Sequence, residues 1–128
     1  MKSPVQKPTA SELEILHVLW TRGSSTVREV HTALSEKREI GYTTVLKLLQ
    51  IMTEKELVIR NEDQRAHVYE PRQPADRTKR QIASDVLQRV FEGSASDMML
   101  HALAGRPTSQ KELEELRQLL DEFERRQK

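Results

Sequence analysis

At 128 residues the chain can build one compact core, or a small core plus an assembly element, and is too short for two full-sized domains. Charged residues make up 32% and aromatics 4%, a balance suited to a helix-rich protein, and the absence of cysteine excludes disulfides, thiolate metal sites and thiol switches. The net charge of +1 excludes a bulk basic footprint: residues 1–73 carry 11 Lys and Arg against 10 Asp and Glu, and residues 74–128 carry 10 against 10. Any affinity for a polyanion must therefore come from local placement.

The opening MKSPVQKPTA has no apolar leader core, so a short loose arm is expected. No apolar run approaches the roughly 20 residues of a membrane span. A cytoplasmic chain with no membrane insertion is the expectation.

Thr9 followed by Glu12 has the spacing of a capping box, in which each side chain satisfies the other residue's orphan N–H. It opens a first helix striped by Leu13, Leu16, Leu19 and Trp20, ending before Gly23. Thr26 with Glu29 opens a second, with Val27, Val30 and Leu34 inward. SEKREIG then breaks the pattern, and a third helix begins near Gly41 and fades by about Lys55. Its Val45, Leu48, Leu49 and Met52 form the i, i+3, i+4, i+7 stripe of a core helix. The opposite face carries Thr43, Leu46, Lys47 and Gln50 with no acidic residue among them, where a solvated face would mix Glu with Lys.

Residues 57–62 and 66–70 are rich in Val, Ile and Tyr, and Asn61, Glu62, Asp63 and Gln64 supply a turn between them, which predicts a hairpin. A lone hairpin is marginal in water, so it must pack on the helices. Three helices followed by a hairpin outline a winged helix-turn-helix. Pro71 and Pro74 then mark a linker.

Beyond them Ile82, Val86, Leu87, Val90 and Phe91 stripe a fourth helix. A fifth covers roughly 96–103, with Met99, Leu100 and Leu103 apolar, and ends at Gly105 and Pro107. Ser109 with Glu112 predicts a third capping box, opening a sixth helix whose Leu113, Leu116, Leu120 and Phe123 repeat at 3-4-3 spacing like a coiled-coil seam. These three helices have too few residues to close a core alone, and a second copy is the expected cover. The expected fold class is mainly α with a small β-hairpin: a winged-helix domain over 1–73 and a helical dimerisation domain over 74–128.

A helix-turn-helix lays its second helix in the major groove, residues near its start reaching base edges. Tyr42, Thr43 and Thr44 occupy that first turn, and Lys47 and Gln50 follow on the same face, suited to guanine and adenine respectively; Leu46 suits a thymine methyl. Arg60, Arg65 and His67 flank the hairpin tip, where a wing meets phosphates or a minor groove. Lys37 and Arg38 in the preceding turn are candidate phosphate contacts. The expected partners are a double-stranded DNA operator and a second copy of the chain. The alternative is a winged-helix module whose residues 43–50 dock a protein.

His17, His31, His67 and His101 are scattered one per element, no His pair at i, i+4 carries a carboxylate between, and the four glycines form no phosphate cradle. No enzymatic activity, cofactor or metal is expected.

The segments TASELEILHVLW, VREVHTAL, GYTTVLKLLQIMTEKELV and RAHVYEP resemble the penicillinase repressor (BlaI/MecI) family over essentially the whole chain. The resemblance implies a dimeric repressor on inverted repeats with TACA/TGTA-like half-sites. It also implies induction by cleavage in the fifth helix, triggered by a membrane sensor metalloprotease encoded nearby. The family bond is Asn-Phe, and His101-Ala102 stands in the corresponding place here. Copper-responsive relatives end in a cysteine cluster, whereas this chain ends FERRQK, which excludes thiolate copper sensing.

Overall fold

A computed structural model describes residues 7–63 and 65–127. Residues 1–6 of the expected arm, Gln64 of the expected turn and Lys128 lie outside the described residues. The elements run α1 (Ala10–Arg22), β1 (Ser25–Thr26), α2 (Val27–Ser35), α3 (Tyr42–Glu54), β2 (Val58–Asn61), β3 (Val68–Pro71), α4 (Ala75–Arg89), α5 (Ala95–Ala104) and α6 (Gln110–Arg126).

Both N-terminal capping boxes form. The Thr9 N–H donates to Glu12 Oε1 at 2.8 Å and the Glu12 N–H to Thr9 Oγ1 at 3.2 Å. Thr26 and Glu29 repeat this at 2.9 and 3.2 Å. The Thr26 backbone N–H holds the Glu29 carboxyl below its ordinary pKa against the opposing effect of desolvation, with the Thr26 hydroxyl and Arg22 adding to the lowering. A carboxyl depressed in the folded state favours folding above its unfolded pKa, and this contribution disappears as pH falls through the folded value.

The buried stripe of α1 is Glu12, Ile15, Leu16 and Leu19, about one residue round from the expected Leu13, Leu16, Leu19 and Trp20. Leu13 and Trp20 are half-buried at its margin. The cause is Glu12, only 2% exposed, whose Oε1 also receives the Lys55 ammonium at 2.6 Å from the far end of α3. The Lys55 Nζ donates as well to the Lys7 carbonyl at 3.2 Å. Trp20 stays at the margin because its indole Nε1–H reaches the Gln73 carbonyl at 3.1 Å.

Val27, Val30 and Leu34 of α2, Val45, Leu49 and Met52 of α3, and Val58 and Tyr69 of the strands complete the core, none more than 7% exposed. The expected two-stranded hairpin is part of a three-stranded antiparallel sheet of order β1-β3-β2. Ser25 and Thr26 pair with Tyr69 and Val68, and Val58 through Asn61 pair with Pro71 back to Val68. Two residues leave no periodicity to read in advance, yet this added strand gives the marginal hairpin the support it needs.

The end of α3 is a Schellman turn: the Leu57 N–H reaches the Met52 carbonyl at 2.9 Å and the Glu56 N–H the Thr53 carbonyl at 3.1 Å. Glu56 sits there at φ 62°, the left-handed region that favours glycine. Glu56→Gly should raise stability by about 0.5–1 kcal/mol, since relief of strain exceeds the added unfolded-state entropy; a melting temperature at or below wild type would contradict this.

The chain divides into two compact units at Ile82/Ala83, within α4, so the first extends past the expected boundary at residue 73. The Trp20–Gln73 bond and the burial of Thr78 belong to it. In the second unit Ser94 caps α5, its hydroxyl accepting the Asp97 N–H at 3.1 Å. Ser109 caps α6 by accepting the Glu112 N–H at 3.1 Å, but only this half of the expected box forms. Arg106 captures the Glu112 carboxylate instead, at 3.0 and 3.1 Å. Neither α5 nor α6 has a buried residue. Among the described residues no helix is long and apolar enough to cross a membrane.

Candidate nucleic-acid interface

The inward face of α3 is fully used by Val45, Leu49 and Met52, which leaves Tyr42, Thr43, Thr44, Lys47 and Gln50 exposed. Leu46, expected to point outward, is half-buried and packs on the core. α1, α2, α5 and α6 each begin on a hydroxyl cap, whereas α3 begins on Gly41 with no side-chain acceptor and no acid in its first turn. Its first N–H groups and the positive end of its dipole therefore remain available to an external acceptor.

His31 fixes the entry to this helix. Its Nε2–H donates to the Ile40 carbonyl at 2.8 Å, and its ring meets Tyr42 edge-on at 5.8 Å. Arg38 is held by Glu14 through contacts of 2.8 and 3.3 Å, which ties the α2–α3 turn to α1 and commits that guanidinium within the fold, while Lys37 stays exposed.

Between α3 and the hairpin lies an open concavity of about 490 Å³. Thr26, Val27 and Arg28 line one side, Tyr42 and Leu46 the second, and Arg65, Ala66, His67 and Tyr69 the third. Four of the expected contact residues, Tyr42, Leu46, Arg65 and His67, thus share one cleft. Thr43, Thr44, Lys47 and Gln50 lie on α3 outside its lining. Arg60 is outside it too, 3.5 Å from the Glu62 carboxylate, which also stands 3.7 Å from His67 Nε2.

Arg28 is a further cation of the cleft that no motif in the sequence singles out. The inward stripe of Val27, Val30 and Leu34 already turned it outward, but only the wing folded opposite makes it part of a site. No carboxylate lines the cleft, and among the described residues Arg28, Lys47 and Arg65 form no ion pair. The surface combines unpaired cations, an apolar floor and free helix-start N–H groups. Such a surface suits phosphate oxygens beside base edges.

In the second unit the expected dimerisation residues are unevenly covered. Val90, Leu100 and Leu120 are 65, 63 and 69% exposed, and Met99 and Phe123 are exposed as well. Val86, Phe91, Leu103, Leu113 and Leu116 are half-buried. His101 and Ala102 are exposed on α5, and the His101 Nδ1 lies 3.2 Å from an Asp97 carboxylate oxygen. Among the described residues no group of three or more His, Asp and Glu could hold a metal ion.

Three packed helices and a short three-stranded antiparallel sheet, with a helical extension, define a winged helix-turn-helix protein. The fold is similar to the solution structure of the monomeric form of BlaI from Bacillus licheniformis in complex with the blaP half-operator, with a TM-score of 0.50, 23% identity, and coverage of 57% of this chain and 89% of that one. The transcriptional regulator BlaI of Mycobacterium tuberculosis is 37% identical over 92 residues, 70% of this chain and 67% of that protein. The penicillinase repressor of Staphylococcus aureus is 21% identical over 116 residues, 91% and 92% of the two chains. Residues 8–122 match the penicillinase repressor family. The chain belongs to that family of transcriptional regulators.

Proposed function

We propose that the protein is a sequence-specific transcriptional repressor acting in the cytoplasm, which binds a palindromic DNA operator as a homodimer. The observation that carries this reading is the carboxylate-free cleft beside the uncapped start of α3, with Arg28, Lys47 and Arg65 unpaired among the described residues. Thr43, Thr44, Lys47 and Gln50 enter the major groove, and Arg65 and His67 meet the flanking backbone. Arg28 adds a phosphate contact at the start of α2.

Dimerisation reconciles this with the near-neutral charge. One module with a few phosphate contacts binds at roughly micromolar strength, and two linked modules at an effective concentration on the order of millimolar reach about nanomolar. Half-sites should lie about one helical turn apart.

Relief of repression proceeds by proteolysis in α5, with a membrane sensor metalloprotease as the partner. His101 and Ala102 are exposed on a helix that buries no residue within its own chain, so unwinding it toward an extended protease substrate disturbs little intrachain packing and removes Met99, Leu100 and Leu103 from the proposed dimer surface.

A mobility shift on duplex DNA from upstream of the chain's own gene tests the reading. A retained complex whose affinity falls steeply with salt is expected. A salt-insensitive protein contact through residues 43–50, with no complex on DNA, would replace it with the interaction-module reading. Lys47→Ala should weaken operator binding by roughly 1–3 kcal/mol if Lys47 reads a base, and equal loss on all duplexes would make it a phosphate contact.

A further inference from the structure

We propose that Glu62 is a built-in competitor for DNA phosphate, occupying the Arg60 guanidinium and standing against the His67 ring in the free protein, and so attenuating affinity for every duplex. The inference rests on the DNA-binding reading above and concerns how strongly that surface binds.

The hairpin register puts the three groups together. Arg60 lies opposite Tyr69 and Asn61 opposite Val68, so continuing the ladder by one step sets Glu62 opposite His67. Arg60 and Glu62 are two residues apart, so they share a face of the ribbon. The carboxylate accordingly stands between two groups, with one oxygen 3.5 Å from the Arg60 guanidinium and the other 3.7 Å from His67 Nε2. The turn beyond is fixed by the Asp63 N–H donating to Asn61 Oδ1 at 2.9 Å. Glu62 therefore holds the position and charge that a phosphate oxygen would take on a docked wing. All three side chains are well exposed, so the pairs are weak and exchangeable. A phosphate displaces the carboxylate at a cost. Arg65, past the turn and without an ion pair among the described residues, is left as the freely available wing cation.

Asp63 supplies the control. It carries the same charge in the same loop, but neither Arg60 nor His67 pairs with it among the described residues. Binding is measured by fluorescence anisotropy of the full chain on two labelled duplexes, one carrying an inverted TACA/TGTA repeat and one a scramble of equal composition. Glu62→Gln should tighten binding roughly threefold to tenfold on both, as release of two surface pairs predicts, and Asp63→Asn by less than about twofold. In an Arg60→Ala background the gain from Glu62→Gln should shrink.

Three results overturn the inference while leaving the DNA reading intact. They are an unchanged affinity in Glu62→Gln, an equal gain in Asp63→Asn, which would make the effect one of bulk charge, and a gain confined to the inverted repeat, which would place Glu62 against a base. Failure of the wild-type chain to bind either duplex removes the DNA reading and this inference together.

Discussion

Lys55→Met should lose about 2–4 kcal/mol of folding stability, read as a lower denaturant midpoint at unchanged m-value. The Glu12 side chain is 3% exposed and that of Lys55 is 18% exposed, with the ammonium 2.6 Å from Oε1. Removing the lysine leaves a buried carboxylate whose remaining interaction, among the described residues, is the cap on the Thr9 N–H. Glu12→Gln should cost less. The amide keeps an oxygen for Thr9, and the stranded ammonium is close enough to the surface to turn outward. This ordering separates a buried pair from a generic packing loss, which would make the two variants equal or reverse them. The consequence reaches the proposed interface, because Lys55 caps α3 and joins its far end to α1 and the Lys7 carbonyl. In surviving folded protein, a looser α3 should weaken specific binding more than non-specific binding, since base contacts depend on helix placement and phosphate contacts tolerate shifts.

The same ion pair shows where local reading stops. The capping boxes at Thr9 and Thr26 and the extent of α3 were legible because caps and periodicity involve neighbours within one or two turns. Glu12 looked like an ordinary first-turn acid. Its burial depends on a lysine 43 positions away, and that contact rotates the stripe of α1. Arg38 was readable as a free cation until folding placed Glu14 against it from 24 residues upstream. The Ser109 box failed by half because Arg106 competes for the Glu112 carboxylate. Within the site, the outward residues of α3 followed from knowing which face was buried. The meeting of Tyr42, Leu46, Arg65 and His67 in one cleft needed β2 to pack on α3, and the recruitment of Arg28 needed β1, which leads into α2, to pair with β3. β1 left no signal, because two residues cannot show a period.

Leu116→Asp with Leu120→Asp should convert a dimer to monomers in sedimentation and weaken operator binding by about a hundredfold or more. The motive is the second unit's exposed surface: α6 has no buried residue, yet Leu119, Leu120 and Phe123 are 48, 69 and 50% exposed, with Leu100 of α5 at 63%. Covering each such side chain contributes roughly 1.5–3 kcal/mol, and a two-fold interface counts each residue twice. Four buried carboxylates in their place would lose that burial and add repulsion across the symmetry axis. The first unit should still fold, because its core residues all lie between Ile15 and Tyr69. A half-operator then remains bound at the weaker single-module strength, because only the linkage that raises effective concentration is lost. A double variant that stays dimeric would move the interface off this seam. A monomeric variant that kept full operator affinity would show that one module suffices, and the near-neutral charge would then need another explanation.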